Sequence, residues 1–416
     1  MEEANIITGS IQTGAKDRLW TKYFIEAMIV GFLMNMCNNI HMSTLPLYAI
    51  HIGGDRSSGG LLTGVFSISA LLFRPLVGNL LDSRGRKIVL TAGIVLFALS
   101  SLSYDFTYVV WLLLLFRFIH GIGFSAQSTS VGTIVSDIVP KSRIMEGIGF
   151  FGLSGVLATA VGPALGLYII GVAGYRVLYT VTFGISVLAL ILAYFINYEQ
   201  ESGTSLDLRQ KPSALKEGET SDVSREGQKA VLFEKTAVVP SFVMLFAALA
   251  MASITSFIPS YAISRNVNNI GIFFTVYAAA LMVVRPFSGK LSDRYGATRI
   301  ILPGMAFMII SMVMIAFSAT LPSFLIAAVL YGFGSGTVNP VLNAITVKLC
   351  PPDRRGAANA TFFSSMDIGM GVGSIMWGFI AQNMGFRYIY LGSAACVVIS
   401  VFLYLLLLRK RLQVSG

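Results

Sequence analysis

The sequence predicts an all-α membrane protein, with twelve transmembrane helices arranged as two pseudo-symmetric six-helix bundles. Of its 416 residues, 55% are hydrophobic and only 12% are charged, about half the charged fraction of a typical soluble domain. Apolar runs of about 20 residues, the length that a helix needs to cross a bilayer, recur along the chain. The second half also repeats the pattern of the first. Together these observations indicate a duplicated helical bundle in lipid.

The apolar runs are too long for the short, alternating strands of a membrane barrel, so each run predicts one helix. We predict spans at 22–45, 58–80, 88–106, 108–135, 146–170, 176–197, 237–262, 268–290, 299–318, 322–347, 356–382 and 387–409. A polar segment rich in Glu, Lys, Ser and Gly predicts a flexible linker between the bundles. The predicted domains are an N-terminal segment at 1–21, a first bundle at 22–197, the linker at 198–236, a second bundle at 237–409 and a tail at 410–416.

The formal net charge of +10 indicates membrane topology rather than a nucleic-acid partner. Most Lys and Arg residues lie in alternate loops, on the side that also holds the chain ends. The opposite loops hold only Arg56, Arg176, Arg265 and Arg387. Because cytoplasmic loops are enriched in positive residues, we predict that both termini are cytoplasmic.

The two halves repeat one pattern at a constant spacing of 211 residues. The stretch "FRPLVGNLLDSRGRKIVL" at 73–90 corresponds to "VRPFSGKLSDRYGATRII" at 284–301. The same spacing relates Gly174 to Gly385. The same spacing holds over most of each half of the chain, which indicates that the two halves are copies of one unit. Two repeated halves are typical of secondary transporters.

The loop between the second and third spans resembles the signature of the major facilitator superfamily, a family of membrane transporters. The residues that match the signature are Asp82, Arg84, Gly85, Arg86 and Lys87. Ser83 departs from it, because the family often has a basic residue there. The second copy retains Asp293 and Arg294 but lacks the basic pair. The resemblance covers essentially the whole chain and implies the two-bundle fold of that family.

A charged cluster at the cytoplasmic edge of the first bundle predicts a gating latch. Asp82 would be costly there unless paired, and Arg143 is its expected partner, with Asp137 and Glu146 close in sequence. We hypothesise that Asp82, Arg86 and Arg143 tie helices together and hold the outward-open state. The alternative is a simple topology anchor.

Arg117, in the stretch "RFIHGIG", matches the buried arginine of the family's fourth span. An arginine inside an apolar run is expensive and is usually functional. We expect it to lie at about the depth of Asn35, Asn38 and Asn39 and to form hydrogen bonds to the first helix. His120 lies on the same face of the helix and could relay protons. The alternative for His120 is a hydrogen-bonded packing residue.

The stretch "GLSGVLATAVGPALG" at 152–166 resembles the family's antiporter motif, which is associated with exporters. The matching residues are Gly155, Gly162, Pro163 and Gly166. Small residues allow close helix packing, and the proline bends the span. The motif's final glycine is Leu167 here, so the match is incomplete.

Few acidic residues lie at membrane depth. Asp367 lies in the middle of the eleventh span, where a charge is costly unless paired, so it is a candidate for proton coupling; the alternative is a packing residue satisfied by neighbouring serines. Its D-x-G pattern resembles that of some bacterial metabolite and metallophore exporters of the superfamily. Glu26 could accept a proton or a cationic substrate, or could extend to the interface. Arg74 and Arg285 precede prolines in equivalent positions, which favours a structural role over substrate contact.

The resemblance implies proton-coupled export of a small amphipathic drug-like compound or metabolite by alternating access. The alternatives are an importer or facilitator of a nutrient and a non-transporting membrane sensor. The sequence predicts no enzyme activity, cofactor, metal site or nucleic-acid partner, because no metal-ligand spacing or nucleotide-binding motif occurs. We expect a monomer in a bacterial inner membrane, surrounded by lipid.

Overall fold

A computed structural model describes residues 18–140, 143–198, 234–351 and 354–409. Helices joined by short turns make up this part of the chain, and the break at Gly174 divides one 52-residue helix, Ile144–Phe195, into α5 (144–173) and α6 (175–195). The other helices are α1 Lys22–His51, α2 Arg56–Arg84, α3 Arg86–Ser103, α4 Val110–Ile138, α7 Val238–Ser264, α8 Gly271–Tyr295, α9 Ala297–Phe317, α10 Leu321–Lys348, α11 Arg355–Asn383 and α12 Phe386–Leu403. A π-helical turn, Tyr404–Leu408, extends α12.

These segments correspond one to one with the twelve predicted spans, and the predicted fold class is confirmed. Within the described chain, nine helices are long and apolar enough to cross a membrane, with α5 and α6 counted together. The helices α1 and α11 are not among them, and both contain polar residues that are described below. We call the face with the α2–α3 and α4–α5 loops the inner face, and the opposite one the outer face.

Several helices extend beyond the predicted ends. The first span was expected to end before Pro46, but α1 continues through this proline to His51. A proline removes one backbone hydrogen bond, and a membrane helix tolerates the loss where neighbouring groups pack around it. Here Pro46 is buried, and Gly59 of α2 lies directly against it.

Left-handed glycines show that the two halves share one backbone plan. Gly85 and Gly296 have φ angles of 91° and 86°, at the α2–α3 and α8–α9 turns. Gly174 and Gly385 have φ angles of 81° and 97°, at the α5–α6 and α11–α12 turns. Only glycine adopts such angles without strain. The repeat in the sequence is therefore also a repeat of local geometry.

The two bundles contact each other mainly through α2 with α11 and α5 with α8. In the outer halves of these helices, Gly60 lies against the backbone of Ser374 and Gly378, and Gly271 lies against Ala164. Small residues allow this close approach.

Toward the inner face, the bundles separate. A Cβ atom added to Gly78, Gly152 or Gly289 would meet no atom within 4 Å. Gly78 and Gly289 therefore do not bring two helices into close contact in this arrangement. The two interfaces are therefore in close contact in their outer halves, whereas these three glycines of the inner halves lie in open space.

Candidate functional site

A cavity of about 160 Å³ lies between the two bundles. The first bundle lines it with Asn39, Met42, Thr159 and Pro163, and the second with Met251, Ile254, Thr255, Phe274, Tyr277 and Tyr331. Largely apolar walls with a few polar groups are typical of sites for small molecules. The cavity therefore suits an amphipathic ligand held by both halves.

An ion pair joins the two bundles at the α2–α11 interface. Arg74 Nη1 of α2 lies 3.0 Å from Asp367 Oδ2 of α11, and the two side chains are 34% and 24% exposed. One turn further inward, Gly78 faces open space and Phe363 is 39% exposed. The pair therefore lies where the bundles begin to separate.

Arg74 is the partner that sequence reasoning missed. The alternative that serines satisfy Asp367 does not hold for Ser365, whose hydroxyl donates to the Phe362 carbonyl over 2.7 Å. A usable signal was present in the sequence, because two opposite charges at membrane depth are each costly until they meet. No sequence pattern, however, relates α2 to α11.

Arg285 of α8 occupies the position equivalent to Arg74 but has no equivalent partner. Asp367 corresponds to Val156 of α5 at the spacing of 211 residues. Among the described residues, no carboxylate lies within 4 Å of the Arg285 guanidinium, and its Nε is buried without a hydrogen bond.

Arg117 is 1% exposed in the interior of the first bundle. Its guanidinium lies 3.9 Å above the Phe66 ring, and Nη2 donates to Met42 Sδ of α1 over 3.3 Å. Helix α1 is thus its neighbour, and the contact is made through a sulfur atom. The amides of Asn35 and Asn39 instead donate to carbonyls one turn back, at Gly31 and Asn35, as short polar side chains in helices commonly do.

Asn38 completes this group of asparagines. Its Oδ1 atom is buried and has no hydrogen-bond partner among the described residues. Arg117 lies at the level of Met42, one to two turns further outward than Asn35 and Asn38.

His120 is fully buried beside Arg117. Its Nδ1 lies 3.1 Å from Arg117 Nη1 and 2.6 Å from the Tyr104 hydroxyl. Because arginine can only donate, Nδ1 must accept, so the imidazole is neutral with its proton on Nε2. A second proton on Nδ1 would remove the Arg117 contact. This geometry favours the packing role over the proton relay.

The charged cluster at the inner edge forms contacts inside the first bundle. Arg86 Nε lies 3.2 Å from Asp137 Oδ2, which also accepts from the Tyr198 hydroxyl over 2.9 Å. Lys87 donates to the Tyr194 carbonyl over 2.5 Å and contacts Asn197. These bonds fasten the α2–α3 turn at Gly85 to α4 and to the segment after α6.

The other latch residues described form local contacts. Arg143 pairs with Glu146 over 2.9 Å at the start of α5, and Arg294 stacks on Tyr295. Arg84 is exposed. The side chains of Asp82 and Asp293 lie outside the described residues, so the Asp82–Arg143 contact stays a prediction.

Glu26 forms a local pair near the inner face. Its Oε1 lies 3.9 Å from Lys22 Nζ one turn earlier on α1, and its Oε2 is buried without a hydrogen bond. This position is close to the membrane edge and away from the cavity lining.

The antiporter stretch lies along α5 between α1 and the cavity. A Cβ atom on Gly162 would lie 2.8 Å from the Met36 carbonyl of α1, and one on Gly166 would lie 3.0 Å from Ile40. Pro163 lines the cavity. Gly155 has no atom within 4 Å of such a Cβ, so the packing predicted for it is absent here.

Two six-helix bundles that enclose a small-molecule cavity define a membrane transporter. The family model of the Major Facilitator Superfamily matches residues 27–268 and 241–415. The chain belongs to this superfamily, as its sequence signature indicated.

Curated relatives and solved structures are similar over nearly the whole chain. A multi-drug resistance efflux pump PmrA homolog of Lactococcus lactis is 25% identical, over 95% of this chain and 96% of that protein. The staphylopine export protein of Staphylococcus aureus is 22% identical, over 90% and 94%. A solved bacterial homolog of the human lysosomal transporter Spinster, described as inward-facing and unoccupied, has a TM-score of 0.72 at 16% identity, over 94% and 97%. The similarity to this solved structure concerns the fold alone.

Proposed function

We propose that the chain exports a small amphipathic compound, drug-like or a metabolite, in exchange for protons. The bundles rock about the central cavity and expose it to each side in turn. Export is supported by the antiporter stretch on α5 and by relatives whose names describe efflux and export. The proposal places the chain in a bacterial inner membrane as a monomer with both termini in the cytoplasm.

The observation that carries proton coupling is the Arg74–Asp367 pair between the bundles. While Asp367 is charged, it attracts Arg74 and holds α2 against α11. Protonation removes this attraction and leaves a neutral acid, which the membrane interior tolerates far better than a charge. The protonation state of one carboxyl group therefore biases the arrangement of the two bundles.

This coupling gives a direction to the cycle. When the cavity opens outward, Asp367 takes a proton from the outer side, away from Arg74. Return to the arrangement seen here brings the guanidinium against the carboxyl group, favours its charged form and releases the proton inward. The substrate then enters the cavity from the inner side. An inward proton gradient thereby drives export.

The test uses inside-out vesicles that contain the full chain and are acidified inside. We expect them to accumulate a fluorescent amphipathic dye that the cells resist. Asp367→Asn should abolish the proton-driven accumulation but retain exchange of dye for dye, because the cavity is intact. The matched control is Asp105→Asn, which breaks an ion pair with Arg176 near the outer face and should accumulate the dye normally.

Normal accumulation by Asp367→Asn would show that this residue does not couple protons. Uptake into right-side-out vesicles with an inward proton gradient would favour the importer instead. The absence of any dye movement or exchange would count against transport of such compounds.

A further inference from the structure

The α5–α8 interface repeats the backbone contacts of the α2–α11 interface. Thr275 Oγ1 of α8 donates to the Ala160 carbonyl of α5 over 3.1 Å. At the equivalent positions 211 residues away, Gly64 of α2 lies against the Gly371 carbonyl of α11. The two helix pairs therefore share one register. Positions 285 and 156 correspond to the ion-paired positions 74 and 367.

The charges of the two interfaces are not equivalent. Val156 is buried and packs into the apolar core of the second bundle, so it provides no counter-charge for Arg285. Arg285 lies ten residues before the end of α8 at Tyr295, about 15 Å along the helix. That depth places its Cα well inside the bilayer, where a cation without a partner is costly.

Unsatisfied hydroxyl groups lie between Arg285 and the cavity. Tyr277 and Arg285 lie on one face of α8, two turns apart, and the Tyr277 ring packs 5.3 Å from that of Tyr331 on α10. The Tyr331 hydroxyl and Ser335 Oγ, one turn apart on α10, are buried without hydrogen bonds. Gly336 packs against Val284, so Ser335 and Arg285 lie at the same level.

Tyr331 is 1% exposed and lines the cavity. The Tyr331 hydroxyl, the Ser335 hydroxyl and Arg285 Nε can each donate a hydrogen bond, and in the described chain these three buried atoms have no hydrogen-bond partner. A group with several acceptor oxygens and a negative charge would satisfy all three.

We infer that Arg285, with the hydroxyls of Tyr331 and Ser335, forms a subsite for a carboxylate group of the transported compound. This inference rests on the proposed export function and names the class of its substrate, a small amphipathic molecule with a carboxylate. The apolar part of the molecule lies in the central cavity. Asp367 remains paired with Arg74 on the opposite interface, so proton and substrate occupy separate charged positions.

The direct test measures the unfolding temperature of the purified full chain with benzoate or with benzamide, which differ only in the carboxylate. We expect benzoate to raise the temperature and benzamide to leave it unchanged, because a ligand stabilises only the state that binds it. Arg285→Met should weaken benzoate binding by about tenfold or more, as expected for bonds to a charged group. The matched control is Lys290→Met, on the exposed inner part of the same helix.

Three results would overturn the subsite. The first is that benzoate does not stabilise the wild type, and the second is that benzoate stabilises Arg285→Met as much as the wild type. The third is that chloride stabilises the wild type as much as benzoate does, which would indicate a site for inorganic anions only.

A second variant supplies the missing carboxylate from the protein. Val156→Asp should pair with Arg285, raise the unfolding temperature without ligand and abolish the benzoate effect, whereas Val156→Asn should not stabilise the protein. If Val156→Asp fails to fold, the comparison of benzoate binding by the wild type and by Arg285→Met still tests the inference. Undiminished benzoate binding by a folded Val156→Asp would contradict the inference.

An export measurement separates this inference from the proposed function. Cells that produce the chain are loaded with a rhodamine that carries a free carboxylate or with its methyl ester. We expect Arg285→Met to slow export of the acid about tenfold and to leave the ester nearly unchanged. Wild-type export of the ester but not of the acid would overturn the subsite and leave the export function standing. Export of neither dye would count against the function, and benzoate binding would then decide the subsite.

Discussion

The α2–α11 and α5–α8 interfaces are two copies of one helix contact that differ in charge. Both bring small residues together in their outer halves, at Gly64 with Gly371 and at Thr275 with Ala160. Further inward, α2–α11 has an ion pair, whereas α5–α8 has an arginine and a valine. The comparison shows that the repeated backbone packing has been kept while the chemistry of the two interfaces has diverged.

The physical reason lies in what each feature controls. Backbone contacts set how closely two helices approach, so a change on one side would disturb the symmetric docking of the bundles. A charged side chain at the widening part of the interface disturbs no close contact, and only its partner must change with it. In our proposal, one interface binds a proton while the other remains available for a ligand.

The largest expected effect comes from removal of one member of the ion pair. Arg74→Met should reduce proton-driven export at least tenfold and lower the free energy of unfolding by about 1–3 kcal/mol, because Asp367 is left without a counter-charge. The double variant with Asp367→Asn should recover most of this stability but not the coupling. Unfolding temperatures of the two single variants and the double variant measure the interaction energy.

Arg285→Met is the matched comparison for that cycle. Without ligand it should cost less stability than Arg74→Met, because no carboxylate is left unpaired. If Arg74→Met and Arg285→Met lowered the free energy of unfolding equally, this would contradict the charge difference between the interfaces.

A smaller effect is expected from the close contacts of the outer halves. Gly60→Val should push α2 away from the backbone of Ser374 and shift the protein toward an outward-open arrangement. Electron-electron distances between spin labels at Tyr108 and Thr320, in outer loops of the two bundles, should then increase. Gly78→Val, on the same helix but with open space around it, should not change the distances. A Gly60→Val protein with unchanged distances would show that this contact does not close the outer side.

The smallest expected effect lies at the start of α2, outside the membrane. Hydrogen bonds from the hydroxyls of Ser57 and Ser58 hold the pKa of Asp55 below its usual value, and its carboxylate caps the helix over 2.9 Å at the Ser58 amide. Because the folded pKa is lowered, this stabilisation is complete above about pH 4, the unfolded value. It is lost as the pH falls through the folded pKa.

The measurement for this cap is the pH dependence of the unfolding temperature. Asp55→Ala should cost about 1 kcal/mol near neutral pH, and the difference from the wild type should shrink in acid. A difference that stays constant down to the most acidic pH tested would indicate that the charge of Asp55 does not matter.

Much of the fold could be predicted from the sequence, because lipid imposes strong constraints on a chain. Run length identified twelve spans, and the spacing of 211 residues identified the duplication, which the glycine turns confirm at Gly85 with Gly296 and Gly174 with Gly385. The predicted end of α1 at residue 45 was too early, because α1 continues through Pro46, and a membrane helix tolerates a proline where neighbouring groups pack around it.

The candidate site was predictable only in part. Asp367 and Arg117 were recognised because single charges in apolar runs are rare, but their neighbours were not. The partner of Asp367 depends on how one bundle docks on the other, and the depth of Arg117 depends on helix offsets of a single turn. Neither quantity is encoded in local sequence patterns.

Val156 has a consequence for how this transporter could change its cargo. Codons for valine and aspartate can differ by one base, so a single point mutation can supply the acid that the second interface lacks. If the proposed subsite is correct, cells with this mutation should lose protection against toxic carboxylic acids, because the new carboxylate would pair with Arg285.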